Sequence, residues 1–133
     1  SFPTRRSSDL LAYERTTSWV RNNIVQQPRT VREGDGWAEK IVGEHDLLYF
    51  TLRRLEFEKR IEDDTCGKFH VLTLVDGERI RIRSVAQPER YFDAEYMDMV
   101  VVPADMGRYV IENLRTEPIC VHKTMLKDGF DKE

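Results

Sequence analysis

The sequence has few cysteines and no long apolar segment. Cys66 and Cys120 are the only thiols, and their spacing fits neither a zinc finger nor a redox pair. Free thiols are typical of a reducing compartment. No apolar run approaches the ~20 residues that a membrane-spanning helix needs, and nothing resembles a signal peptide. These features predict a cytoplasmic protein that does not cross a membrane.

The sequence also lacks an excess of basic residues. Lysine and arginine number 21 against 24 aspartate and glutamate, which gives a formal net charge of −3. Because the two signs are interspersed, the chain offers no electrostatic basis for binding nucleic acid or an anionic membrane. Hydrophobic residues make up 40% and charged residues 34%, a composition typical of a globular protein of one domain.

From Leu47 onward, short alternating segments are separated by turn residues. Residues 47–58 predict a strand whose apolar phase changes at Arg53–Arg54, which indicates a bulge or a bend. The segment FHVLTLVDGERIRIR, residues 69–83, predicts two strands joined by an Asp-Gly hairpin turn. MDMVVVPADMGRYVIEN, residues 97–113, predicts two more. Seven or eight short strands without a long helix predict an all-β jelly roll or small β-barrel.

The alternation in residues 69–83 assigns side chains to faces. Ile80 and Ile82 are predicted to face inward, and Arg79, Arg81 and Arg83 outward. Such an arginine row could grip a sugar phosphate, but a solvated sheet face is the commoner interpretation.

Two other groups of charged residues are given structural interpretations. The acidic run Glu62–Asp64 precedes Thr65-Cys66-Gly67 and is interpreted as a loop. Lys123 and Lys127 are interpreted as charges at a sheet edge.

The N-terminal third carries little regular pattern. Residues 1–10, SFPTRRSSDL, resemble the translated read-through of a sequencing-library adapter and are expected to be non-native. Pro28 and Gly34-Asp35-Gly36 break residues 11–46, which are predicted to form an extended connector anchored by Trp19 and Trp37. This interpretation makes the chain a fragment of a longer protein.

Three segments taken together resemble the C-terminal cupin domain of class I mannose-6-phosphate isomerases. That domain begins near a Tyr-Phe strand, here Tyr49-Phe50, within LLYFTLRRLEFE. It continues through a Phe-x-x-Leu-x-x-Val-x-Gly pattern, here Phe69 to Gly77, and closes with Val102-Pro103-Ala104 before Tyr109. The resemblance implies a cupin-type jelly roll over residues 47–128 with a tail at 129–133. The glycine that opens the family's second motif is Met97 here, which predicts a turn of different shape.

The resemblance also aligns the positions at which a metal-binding cupin carries its ligands. Counting back seven residues from Gly77 places His70 at the glutamate position. The His-x-His positions then fall on Asp64 and Cys66, and the fourth ligand falls on Arg108. Because a cation beside Arg108 would meet a like charge, we expect no metal here. His70 is expected to be a hydrogen-bonded polar group of the interior.

The family interconverts mannose 6-phosphate and fructose 6-phosphate with zinc held in an upstream domain. The resemblance therefore implies an accessory, non-catalytic domain without a cofactor of its own. Its implied partner is the upstream catalytic cupin domain, and a sugar phosphate is a possible ligand.

Two alternatives remain open at this point. One is a stand-alone, metal-free sugar-binding or sensor cupin whose pocket lies near His70, Arg108 and Tyr109. The other is a metal-dependent cupin enzyme that uses Asp64, Cys66 and His70 as ligands.

Overall fold

A computed structural model describes residues 25–43 and 49–127. Within these ranges the chain forms ten β-strands and one short 3-10 turn, and no α-helix. No helix in this part of the chain is long and apolar enough to cross a membrane. Trp19, the adapter-like residues 1–10 and the tail at 129–133 lie outside the described residues. The strands are β1 Val25–Gly34, β2 Trp37–Gly43, β3 Phe50–Phe57, β4 Arg60–Asp64, β5 His70–Asp76, β6 Arg79–Ser84, β7 Tyr91–Glu95, β8 Met99–Val102, β9 Arg108–Asn113 and β10 Ile119–Leu126.

The strands form two antiparallel sheets. The six-stranded sheet has the order β1-β2-β3-β10-β5-β8, and the four-stranded sheet has the order β4-β9-β6-β7. Strands adjacent in sequence often lie in different sheets, as in a jelly roll. This arrangement confirms the predicted all-β jelly-roll barrel.

The apolar core lies between the two sheets and follows from strand alternation. Ile80 and Ile82 of β6 point inward and are at most 1% exposed, as predicted. Leu72 and Leu74 of β5 face them from the other sheet and are equally buried. The remaining buried apolar side chains of this cluster are Leu55, Phe57, Ile61, Ala94, Val102, Tyr109, Ile111, Ile119 and Val121.

The Asp76-Gly77 turn does not close a hairpin, and that prediction is wrong. β5 pairs with β10 and β8, whereas β6 pairs with β9 and β7. The turn therefore carries the chain from one sheet to the other. Gly77 has φ 143°, and a Cβ there would lie 2.6 Å from Cγ2 of Ile119. The Asp-Gly pair correctly indicated a tight turn, at a point where the backbone comes close to Ile119. It did not indicate with which strands β5 and β6 pair.

A bulge or a bend was predicted at Arg53–Arg54, and β3 carries no bulge there. The register of β3 with β10 is unbroken from Phe50 to Phe57. The irregularity lies on the neighbouring strand, between Ile41 and Gly43 of β2. One phase of β3 contains Thr51, Arg53, Leu55 and Phe57, of which the first two are polar and the last two apolar. The apolar residues of β3 change phase along the strand because the inward side of the sheet is polar at this end.

Residues 25–43, assigned above to the extended connector, form a hairpin of the six-stranded sheet. β1 pairs with β2, and β2 pairs with β3 along its length. The turn between β1 and β2 contains Gly36 with φ 78°. Trp37 packs against the apolar core of this barrel. Charged residues are interleaved with the apolar ones in this segment, so its sequence does not show the alternation typical of a strand.

The acidic run Glu62–Asp64 is a strand, not the loop interpreted from the sequence. It forms the end of β4, where Asp63 lies opposite Tyr109 of β9. Successive side chains of β4 point to opposite faces, and Glu62 and Asp64 point to solvent. The Asp63 side chain therefore points toward the barrel interior.

Candidate functional site

The polar end of the barrel interior is built around the ammonium group of Lys123. Lys123, on the central strand β10, is only 2% exposed. Its Nζ lies 2.6 Å from Oδ2 of Asp63 and 2.9 Å from Oε2 of Glu39. Lys123 is therefore not the edge charge that the sequence predicted. We call Glu39, Asp63 and Lys123, with Arg32 and Arg53, the interior ion network.

Glu39 is the most strongly held carboxylate of this network. Its side chain is 1% exposed, accepts a hydrogen bond from Arg32 Nε, and accepts another at 2.9 Å from Arg53 Nη1. Burial opposes ionisation, but the Lys123 charge and the hydrogen bonds from Arg32, Lys123 and Arg53 outweigh it. Together they lower the pKa of Glu39 to about 2. Glu39 is thus a carboxylate at any physiological pH.

His70 and Tyr109 join the network through Asp63. His70 Nδ1 lies 2.7 Å from the Tyr109 hydroxyl, and both side chains are buried. The hydroxyl donates to Oδ2 of Asp63 at 3.3 Å. Burial and the Lys123 charge lower the pKa of His70 to about 4, against the opposing effect of Asp63 and Glu39. Burial and the charge of Asp63 raise the pKa of Tyr109. Both groups are therefore neutral near pH 7.

The candidate trio of His70, Arg108 and Tyr109 is only partly brought together. His70 and Tyr109 are hydrogen-bonded in the interior, as expected for a polar interior histidine. Arg108 precedes Tyr109 on β9 and points to the opposite side of the sheet, where it donates to Glu62 Oε1 at 2.6 Å. Alternation along one strand separates the guanidinium from the other two side chains.

The alternative ligand set of Asp64, Cys66 and His70 does not converge. Asp64 and Cys66 lie on the surface at the end of β4, where Asp64 Oδ1 accepts from the Cys66 backbone N–H at 2.9 Å. His70 is 1% exposed. Across residues 25–43 and 49–127, no three His, Cys, Asp or Glu side chains are grouped so as to hold a metal ion.

A surface groove of about 1010 Å³ opens between the β1–β2 hairpin and β4. Its lining includes the indole of Trp37, which lies under the Arg32 guanidinium at 5.1 Å. Arg108 lines the other side. Asp63 contributes to the groove and to the interior ion network, and so connects the two. The other lining residues are Asp35, Gly36, Glu58, Lys59, Arg60, Ile61, Glu62, Asp64, Cys66 and Val110.

The arginine row of β6 is neutralised by carboxylates on its neighbours. Arg81 donates to both oxygens of Asp93, at 2.8 and 3.1 Å. Arg79 also contacts Asp93, and Arg83 contacts Glu112 at 3.4 Å. This is the arrangement of a solvated sheet face, and it leaves little of the row's charge for a phosphate.

Two central residues of the interior ion network were missed by sequence reasoning. Lys123 belongs to the inward phase of ICVHKTML, two residues after Val121. Glu39 follows Trp37 by two in WAEKIVG. A charged residue at the buried phase of an amphipathic strand was the available signal. This signal could have identified Glu39 and Lys123 as buried charges. It could not have identified the residues with which they form ion pairs.

Comparison with solved structures identifies the fold. A cupin-2 domain protein from Rhodospirillum rubrum matches with TM-score 0.59 at 12% identity, over 77% of this chain and 70% of that one. The cupin domain of Cnp3 from Schizosaccharomyces pombe gives 0.56 at 14%, over 71% and 67%. A cupin-2 conserved barrel protein from Salinispora arenicola gives 0.56 at 11%, over 83% and 86%.

These similarities establish the cupin fold and nothing finer. No family model matches the sequence, and no curated protein matches it. The predicted cupin domain is therefore confirmed, whereas the link to mannose-6-phosphate isomerase stays a prediction.

Proposed function

We propose that this chain is a non-catalytic cupin domain that accompanies the zinc-dependent catalytic domain of a mannose-6-phosphate isomerase-like protein. The observation that carries the non-catalytic part is the position of the Lys123 ammonium between Asp63 and Glu39. The resemblance of the segments around Tyr49, Phe69 and Val102 supports the isomerase context.

The interior carboxylates are already engaged by a cation of the chain itself. A metal site needs carboxylate, imidazole or thiolate donors that converge on an empty point. Here Asp63 and Glu39 share an ammonium, and His70 Nδ1 is hydrogen-bonded to Tyr109. A divalent cation entering this end of the barrel would meet the Lys123 charge at close range. The network thus serves the barrel's structure.

The same groups are closed to a substrate. His70 is 1% exposed and Tyr109 is fully buried. A general acid or base must come within hydrogen-bond reach of the reacting atom, and neither side chain reaches a solvent-facing surface. Proton transfer between adjacent carbons of a sugar phosphate therefore needs residues from another domain.

The test is an isomerisation assay of the purified chain and of its full reading frame. Mannose 6-phosphate and Zn²⁺ are supplied, and fructose 6-phosphate is measured with a coupled enzyme. We expect no turnover by this chain and zinc-dependent turnover by the full protein. Turnover by the chain alone, abolished by His70→Gln, would contradict the non-catalytic role. An inactive full protein with intact zinc would contradict the isomerase context.

A second candidate function is the binding of a small carbohydrate in the surface groove. It is favoured by the groove's volume and by the Trp37 indole, which offers an apolar platform beside Arg108 and several carboxylates. Aromatic faces pack on sugar rings, while charged side chains hydrogen-bond hydroxyl groups. Calorimetric titration with mannose and mannose 6-phosphate tests it. Binding that is lost in Arg108→Ala and Trp37→Phe would support this candidate, and no heat at millimolar sugar would remove it.

A further inference from the structure

Two cations of the interior ion network lie directly opposite each other on neighbouring strands. Arg53 of β3 pairs with Lys123 of β10 in the register of the six-stranded sheet. Like charges in directly opposed positions repel, and both of these residues occupy the inward phase of their strand. Glu39 bridges them, since its Oε2 lies 2.9 Å from Arg53 Nη1 and 2.9 Å from Lys123 Nζ. One carboxylate oxygen therefore serves two cations.

The interior ion network contains more cations than carboxylates. Its cations are Arg32, Arg53 and Lys123, and its carboxylates are Glu39 and Asp63. The imidazole and the phenol that are joined to it add no charge near pH 7. One positive charge thus has no counterpart within the network. An uncompensated charge is costly in a buried position, and an anion bound at this end of the barrel would balance it.

Arg53 offers the donors that such an anion needs. Its Nη1 donates to Glu39, whereas its Nε is buried and has no hydrogen-bond acceptor among the described residues. In a guanidinium group, Nε and Nη2 present two parallel N–H groups along one edge, which binds carboxylates and phosphates in a bidentate manner. Nη1 lies outside that edge, so the bond to Glu39 leaves the edge available. The Arg53 side chain is 24% exposed, and an anion can therefore reach it from solvent.

A buried hydroxyl without a partner lies on the same face of β3. Thr51 is 3% exposed, and its Oγ1 has no hydrogen-bond partner within residues 25–43 and 49–127. Most buried hydroxyl groups are hydrogen-bonded, because an unsatisfied one costs free energy. Thr51 lies two residues before Arg53 in the inward phase and pairs with Met125 of β10. A hydroxyl and a guanidinium edge on one strand face are complementary donors for an oxyanion.

Two other guanidinium groups contain a buried nitrogen without a hydrogen bond, and their surroundings differ. Arg32 Nη2 lies 3.5 Å from Oδ1 of Asp63, so an ion pair accounts for it. Arg54 occupies the outward phase of β3, and its side chain is 39% exposed. Its neighbours on that face of the strand are Leu52 and Glu56, neither of which has a hydroxyl group. Arg54 is therefore a natural control for a guanidinium group outside a built site.

We propose that Arg53 and Thr51 form a binding site for a small oxyanion at the polar end of the barrel. The ligand presents a carboxylate or phosphate group that accepts from Nε and Nη2 of Arg53 and from the Thr51 hydroxyl. Its charge balances the extra cation of the interior ion network. A phosphate monoester and an organic acid share this chemistry, and the test distinguishes them. This inference goes beyond the proposed function, since neither the catalytic domain nor the surface groove enters it.

An NMR titration of the purified chain at pH 7 tests the proposal. Inorganic phosphate and acetate are the two probes, and chloride keeps the ionic strength constant. We expect the Nε–H resonance of Arg53 to shift saturably with at least one probe, with a dissociation constant on the order of 1 mM or lower. Tighter binding of phosphate assigns the site to phosphate monoesters, and tighter binding of acetate assigns it to organic acids.

Three substitutions locate the site. Arg53→Lys keeps the charge but removes the bidentate edge, and is expected to weaken binding at least about tenfold. Thr51→Val keeps the shape of the side chain and removes the hydroxyl, which should weaken binding about fivefold. Arg54→Lys makes the same exchange on the outer face of β3 and should change the dissociation constant by less than about twofold.

Thr51→Val covers the case in which Arg53→Lys fails to fold, because it leaves every ion pair of the network in place. An affinity that Thr51→Val leaves unchanged overturns the proposal. So does binding that is lost in Arg54→Lys instead of Arg53→Lys. An Arg53 Nε–H resonance that neither probe shifts, or that chloride shifts equally, also overturns it.

Discussion

Lys123 Nζ and Asp63 Oδ2 lie 2.6 Å apart and join the two sheets of the barrel. Lys123 belongs to β10 of the six-stranded sheet, and Asp63 belongs to β4 at the edge of the four-stranded sheet. Elsewhere the sheets are held together by apolar packing. At this end a buried ion pair takes that role, and Glu39 is a second carboxylate that contacts the same ammonium.

Removing the ammonium takes away the cation that two buried carboxylates share, and leaves Glu39 with Arg32 and Arg53 alone. Lys123→Met keeps most of the side-chain length and is expected to lower the free energy of unfolding by about 3–5 kcal/mol. Urea denaturation followed by circular dichroism measures this. Lys59→Met, at an exposed position, is the control and should stay within about 0.5 kcal/mol of the parent. Equal losses in the two variants would show that the Lys123 contacts contribute little.

The stability of the fold is expected to fall with pH below neutrality. The pKa of His70 is lowered to about 4 by burial and the Lys123 charge, whereas in the unfolded chain it is about 6.5. As the pH falls between these two values, His70 binds a proton in the unfolded chain, whereas it stays neutral in the folded chain. Stability is therefore full above pH 6.5 and declines toward pH 4, by on the order of 2–3 kcal/mol.

Urea unfolding at several pH values checks this slope. His70→Gln should flatten the decline between pH 6.5 and 4, whatever its effect on stability at pH 7. His122→Gln, at a half-buried outward position, should keep most of it. Below this window, Glu39 adds a further loss, because its pKa of about 2 lies under the ordinary value of 4.5 and its contribution disappears as it is protonated. An unchanged slope in His70→Gln would contradict the assignment.

The hydrogen-bond order predicts the tautomer of His70. A tyrosine hydroxyl has one proton, and Tyr109 donates it to the carboxylate of Asp63. Its oxygen then accepts from His70 Nδ1 at 2.7 Å, so the neutral imidazole carries its proton on Nδ1. Long-range ¹H–¹⁵N spectra at pH 7 identify the tautomer directly. A proton on Nε2 would reverse the order, with Tyr109 donating to the imidazole instead of to Asp63.

Alanine substitutions at two glycines with positive φ distinguish the cost of backbone strain from the cost of steric crowding. An alanine Cβ at Gly107, φ 70°, meets nothing within 4 Å, whereas at Gly77, φ 143°, it comes within 2.6 Å of Ile119 Cγ2. Gly107 has ψ −136°, a backbone conformation that strongly favours glycine, and Gly107→Ala is expected to cost about 1–3 kcal/mol from conformation alone. Gly77→Ala should cost at least about 2 kcal/mol more, because it crowds the core at the turn between the sheets. Thermal unfolding compares the two, and equal costs would mean that Ile119 moves aside freely.

The fold class could be predicted from the sequence, but the pairing of the strands could not. Alternation placed Ile80 and Ile82 inward, and these assignments are confirmed because burial on one face leaves a period of two. Alternation says nothing about which strand lies beside which. The Asp76-Gly77 signal accordingly predicted a hairpin where the chain crosses between sheets.

The polar end of the barrel shows the limit of reading hydrophobic periodicity. Arg53, Glu39 and Lys123 all occupy inward phases, but each looks like a surface residue when read alone. Their burial depends on mutual compensation across β2, β3 and β10, and β10 is distant in sequence from the other two strands. His70 was found by counting back seven residues from Gly77, and its hydrogen-bond partner Tyr109 was placed in the same candidate pocket. Lys123 and Glu39 were missed.

The central claim is that the interior of this cupin barrel is held by its own ion network instead of a metal. Calorimetric titration of the purified chain with Zn²⁺, with the melting temperature recorded in parallel, tests it most directly. We predict no stoichiometric binding and no rise in melting temperature, because Lys123 already binds Asp63 and Glu39. Binding of one equivalent that is lost in His70→Gln or Asp64→Ala, with a zinc-dependent rise in melting temperature, would contradict the account.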